Sequence, residues 1–154
     1  MRRIGVDHAV AAAHGYGVAV DANGVEYPVP ASDVSPNTVV TPDISVTGEC
    51  GTSWVYFDSI NTTTHHAVIE TGFSLANGYP GAVMVQWDMT VADNYGVSYW
   101  NWTDPTASVH YWKKTHSFTS SGPGKVYANL VSGLATLWDG TLCYSYEPFA
   151  IATL

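Results

Sequence analysis

Charge is what this sequence has least of. Only 12% of its 154 residues are charged, and Lys and Arg together number 5 against 13 Asp and Glu. The cations are Arg2, Arg3, Lys113, Lys114 and Lys125. They are too few and too scattered to follow a phosphate backbone, so no nucleic-acid partner is expected. The net charge of −8 disfavours an anionic membrane surface for the same reason. Long apolar runs are also missing, and without about 18 consecutive apolar residues no helical membrane span is expected. The apolar run at residues 9–13 is short and flanked by Asp7, His8 and His14. It makes a poor export-signal core, and Met1 is read as the start of a mature chain.

The common catalytic signatures are absent too. There is no phosphate-binding Gly-rich loop, no dinucleotide fingerprint, no Gly-x-Ser-x-Gly elbow and no Cys-x-x-Cys pair. His65 and His66 are adjacent and would face opposite sides of a strand. His110 and His116 would stand about 20 Å apart on one strand. His8 and His14 add no converging set, so no metal site and no cofactor are expected. Of the acids Asp58, Glu70, Asp88, Asp93, Asp104, Asp139 and Glu147, three (Asp93, Asp104 and Asp139) are placed in turns, where Asp caps backbone amides. No catalytic residue is assigned, and the chain is read as a non-enzyme. Asn61-Thr62-Thr63 and Asn101-Trp102-Thr103 match the N-glycosylation pattern.

What is abundant is aromatic. Six Trp, 10 Tyr and 4 Phe make up 13% of the chain, with 14 Gly and much Thr, Ser and Val. Few charges with many β-formers fit an all-β extracellular protein. Residues 82–91 alternate cleanly, with Val83, Val85, Trp87, Met89 and Val91 on the face expected to be buried, and Gln86, Asp88 and Thr90 on the other. Further strands are expected over 52–60, 67–75, 96–103, 108–119, 125–131, 134–138, 141–146 and 149–154, separated by turn residues. Asp139-Gly140 is a two-residue hairpin signal. The expected fold is an antiparallel β-sandwich of about eight to ten strands, spanning residues 47–154.

Residues 1–46 read differently. They hold no Trp or Phe and carry Pro28, Pro30, Pro36 and Pro42, which exclude a central strand. Residues 9–13 could start a short helix, and Asn23-Gly24 suits a tight turn. Val18, Val20, Val25, Val29, Val39 and Val40 are β-branched and want partners. The segment is expected to be an extended docking arm, laid on its own domain, on a second copy or on another protein.

Two cysteines remain, Cys50 and Cys143. In an oxidising compartment they read as one disulfide tying the start of the β-domain to its end, and in a reducing one as two buried thiols. Tyr99, Trp100, Trp102, Tyr111 and Trp112 fall within 14 residues on two neighbouring expected strands. Half of them should be core. The other half is the candidate binding surface, for stacking on a sugar or anchoring a protein.

The run Cys50-Gly51-Thr52-Ser53-Trp54, with Leu137-Trp138 and Leu142-Cys143-Tyr144 near the end, resembles small secreted actinobacterial proteins. These pair a Cys-Gly-x-Ser-Trp opening with a late Trp-x-x-x-x-Cys segment. The match covers residues 48–147 and brings no catalytic residues. It implies a secreted, disulfide-bonded β-sandwich. Because some such proteins are adaptors in extracellular toxin particles, it also raises an assembly role. The function expected is a protein-interaction or self-association module of a secreted complex, with a carbohydrate-binding module as the alternative, and a hydrolase or inhibitor behind both.

Overall fold

The computed structural model describes residues 1–20, 23–30 and 46–154. The strands are β1 (Arg2–Val6), β2 (Tyr16–Val20), β3 (Glu26–Pro30), β4 (Val46–Gly48), β5 (Gly51–Asn61), β6 (His66–Leu75), β7 (Ala82–Ala92), β8 (Val97–Val109), β9 (Tyr111–Thr119), β10 (Lys125–Leu137), β11 (Thr141–Tyr144) and β12 (Phe149–Thr153). Among the described residues one short helix, α1 (His8–Ala13), follows β1 and is capped by Asp7, whose carboxylate accepts from the amides of Ala9 and Val10.

All pairings are antiparallel. A six-stranded sheet runs β1-β11-β10-β7-β8, with β12 beside the N-terminal half of β10. A four-stranded sheet runs β4-β5-β6-β9, and β2 and β3 form a separate hairpin. The two larger sheets pack face to face, giving the expected all-β sandwich.

Trp87 of β7 is fully buried between the sheets, 5.7 Å from the ring of Phe73 and 5.4 Å from that of Trp112. Its indole N–H donates to Thr71 Oγ1 at 2.8 Å, and that hydroxyl donates to the Trp54 carbonyl at 2.9 Å. A chain of donors thus satisfies the polar atoms at the centre of the core. Val85, Met89 and Val91 are buried beside Trp87 as the alternation requires, while Gln86 and Asp88 are exposed.

Val83 departs from that pattern. It is half-buried, and Ala82 takes its place in the core. The β7–β8 register shifts between Ala82 and Met84, and such an irregularity reverses the parity of the residues before it. Asp104-Pro105 is another correction. It is not a turn but lies inside β8, opposite Val85 and Met84. Proline is tolerated there because β8 is the edge of its sheet. The Asp139-Gly140 turn does join β10 to β11, with the Asp139 carboxylate accepting from the Thr141 amide at 2.9 Å and Gly140 at φ +86.

Cys50 and Cys143 are bonded, with Cα atoms 6.0 Å apart, and both are fully buried. Cys50 immediately precedes β5 and Cys143 lies in β11, so the bridge joins the two sheets.

Candidate functional site

The five aromatic residues singled out by the sequence do not form one surface. Trp100 and Trp102 turn inward from β8. Trp100 packs against the His116 ring at 4.1 Å, and Trp102 meets Trp112 edge-on at 6.4 Å. Trp112 is buried and its indole N–H donates to Asp104 Oδ2 at 2.9 Å. Lys114 Nζ lies 2.8 Å from the same oxygen. These two donors hold the Asp104 carboxyl below the usual carboxylate range, Lys114 contributing most. Burial beside the rings pushes His116 down from the ordinary histidine value. Only Tyr99 and Tyr111 are exposed, and they lie on opposite outer faces. The reason is topological. β8 and β9 are consecutive in sequence but belong to different sheets, so the outward residues of each point away from those of the other.

Each of those tyrosines has neighbours that the linear sequence did not reveal. On the outside of the six-stranded sheet, register aligns Ile151, Tyr127, Ala92 and Val97 in one row, and Phe149, Asn129, Thr90 and Tyr99 in the next. Tyr99 is 78% exposed and Phe149 66%, and Val97, Tyr127 and Ile151 are exposed with them. Ala128, Ala150 and Ala152 alternate with these side chains and turn inward or lie half-buried. On β12, large residues outside and alanines inside reverse the usual amphipathy of a strand, whereas β10 keeps Val126 and Leu130 in the core on either side of Ala128. That alternation was the available signal for Phe149 and Ile151.

The outside of the four-stranded sheet is chemically different. Register sets Trp54, Gly72 and Lys113 in one row and Tyr56, Glu70 and Thr115 in the next, with Tyr111 beside the first. The Trp54 and Tyr111 rings stand 5.4 Å apart, tilted by 32°. Glu70 is only 4% exposed, although it lies on an outer face. Its carboxylate accepts from Tyr56 Oη and from Lys113 Nζ, each at 2.6 Å. Burial alone pushes Glu70 up, but the hydrogen bonds from Lys113 and then Tyr56 outweigh it and hold the carboxyl below its usual range. The same hydrogen bonds raise Tyr56 and Lys113. Glu70 is therefore an ionised acceptor at neutral pH. Of this group only Tyr111 was named as a binding residue from the sequence, because strand parity shows a face but not which strands lie side by side.

The N-terminal segment is not one extended arm over its described residues. β1 pairs with β11 as an edge strand of the six-stranded sheet. Val18 and Val20 lie on β2 and Val29 on β3, and Val25 directly precedes β3, so four of the proposed docking residues belong to a hairpin folded on itself. Val18 and Val25 are half-buried and Val20 is exposed. Val39 and Val40 lie outside the described residues.

No family model matches this chain, and no curated protein or solved structure is significantly similar to it.

Proposed function

We propose that this chain is a non-catalytic interaction module, an adaptor or subunit of a secreted multi-protein complex, and that it docks through the outer face of the six-stranded sheet. The observation that carries this reading is the apolar patch of Val97, Tyr99, Tyr127, Phe149 and Ile151. Five large apolar side chains left exposed in two adjacent rows, with Asn129 and Thr90 set between Phe149 and Tyr99, are more than scattered surface residues and favour an interface. Tyrosine and phenylalanine are the side chains that interface centres favour. A buried disulfide fits an oxidising compartment, in keeping with secretion, and the adaptor role is the one raised by the resemblance to small secreted actinobacterial proteins.

The surface moves from the arm to the sheet face for a physical reason. One side of β1 is already paired to β11, whereas no strand among the described residues pairs over the exposed side chains of the apolar patch. The partner that fits is a protein of opposite charge. Two copies of a chain with net charge −8 repel as they approach, and a basic protein is steered in.

The test places a photo-crosslinking side chain at position 99 and, separately, at position 115 on the opposite face, in the producing cells. A discrete adduct with a basic protein from position 99, none from 115, and loss of that adduct in Phe149→Ser are expected. An adduct formed only with the chain itself would make a second copy the occupant. The absence of any adduct from position 99 would overturn the reading.

A further inference from the structure

We propose that the outer face of the four-stranded sheet is a second binding site, for an extended, neutral, β-linked polysaccharide. Trp54 and Tyr111 form its stacking platform, and Tyr56, Glu70 and Lys113 its polar border. A pyranose ring in such a chain has two flat faces made of C–H bonds and a rim of hydroxyls. A site for it needs an open aromatic surface with fixed donors and acceptors along the edge.

The platform is built by the strand register. Trp54 leans across the sheet over Gly72. A Cβ at position 72 would first meet the backbone carbonyl of Trp112 on β9 and would also come within 2.9 Å of Trp54 Cζ2, so the glycine serves the close approach of β9 as well as the resting place of the indole. Tyr111 flanks it at 5.4 Å between ring centroids, tilted by 32°, so the two rings form one continuous aromatic surface. Tyr111 is 52% exposed. Trp54 is half-buried, so the open side of the indole and the exposed Tyr111 ring together make one stacking platform running from β5 toward β9.

The polar border is preset. Glu70 is held between Tyr56 and Lys113, so its position is fixed before any ligand arrives. Lys113 Nζ has three N–H groups and spends one on Glu70. The Tyr56 oxygen donates to Glu70 and keeps its acceptor capacity.

Fold stability gives little reason for a sheltered charge here. A sequestered ion pair is weak evidence for stability, and the neighbouring outward positions are filled by Thr52, Ser74 and Thr115, which need no such pairing. Because Glu70 is ionised and engaged at both oxygens, it accepts hydrogen bonds and does not donate a proton. The site binds without cleaving. A neutral ligand fits best, since Glu70 already matches Lys113 and the chain as a whole is acidic. This site is on the opposite side of the sandwich from the protein-docking face, and either can fail without the other.

The test titrates the full chain with cellohexaose and with chitohexaose, followed by calorimetry and tryptophan fluorescence. Saturable binding to one of them is expected. Trp54→Ala and Tyr111→Ala should each weaken it about tenfold or more, and Tyr99→Ala should leave it unchanged. If Trp54→Ala loses its near-ultraviolet circular dichroism and so its fold, the exposed Tyr111 decides. No binding by the unaltered chain to either oligosaccharide overturns the proposal. So does binding that survives the folded ring variants.

Discussion

The two outer faces of this sandwich are written in the same strand alternation and carry different chemistry. The six-stranded sheet shows water a patch of Tyr99, Phe149, Ile151, Tyr127 and Val97 with no ion pair among them. The four-stranded sheet shows water two aromatic rings around a sequestered carboxylate. Both depart from the bland outside of an ordinary antiparallel sheet, where polar residues simply meet solvent. An apolar face gains by being covered and tolerates many partners of matching shape. A face of fixed hydrogen-bonding groups gains only from a ligand that matches them, because a mismatched ligand would cover polar groups and leave them without partners. The first face therefore suits docking and the second suits recognition.

Removing what the faces share should come first. The disulfide joins the sheets, and replacing Cys50 and Cys143 with Ser removes a cross-link spanning 93 residues. In the loop-entropy picture the loss is about 4–5 kcal/mol. A denaturant melt of the double variant should show it, together with loss of function at both faces. A loss confined to one face would mean the sheets do not depend on each other.

Trp87→Ala comes next. It removes the fully buried ring between the sheets and leaves the Thr71 hydroxyl without its donor. The expected cost is about 3–5 kcal/mol in the same melt. A loss below about 1 kcal/mol would mean that Trp87 is not central to the core.

Changes on single faces should then separate them. Glu70→Ala should cost about 1 kcal/mol, because it removes two hydrogen bonds to a charged acceptor while the exposed Tyr56 and Lys113 turn to water. Tyr99→Ala, at 78% exposure, should stay within about 0.5 kcal/mol. Equal effects in chemical denaturation would erase the distinction between a built polar site and a bare apolar one.

The smallest effect is acid sensitivity. Glu70 and Asp104 are both held below their unfolded values of 4.5 and 3.8. In the unfolded chain they bind protons more readily, so stability is fully present above those values and falls as pH drops through the folded ones. Thermal melts from pH 6 downward should show a decline beginning near pH 4.5, and Glu70→Gln should flatten its first part. An unchanged acid limb in that variant would show that Glu70 is not held ionised by the fold.

The strand pattern made much of this visible in advance. The buried parity of Val85, Trp87, Met89 and Val91 followed from alternation alone, and Asp139-Gly140 announced its hairpin. Asp104-Pro105 misled because both residues favour turns in isolation, whereas on an edge strand a missing amide costs nothing. Val83 misled because parity carries across a strand only until the register shifts. Trp54, Tyr56, Glu70 and Lys113 were individually visible but not collectively so. They come from β5, β6 and β9, and their contacts run across the chain direction.

The sequence by itself determined that this chain is an all-β sandwich with an aromatic core, and it named the only two cysteines that could pair. Composition, alternation and turn chemistry act over a few residues and are read directly. Only the tertiary structure decided what each outer face presents. Side chains from distant strands become neighbours through sheet order and register, and it was the assignment of β8 and β9 to different sheets that sent Tyr99 and Tyr111 to opposite sides of the molecule.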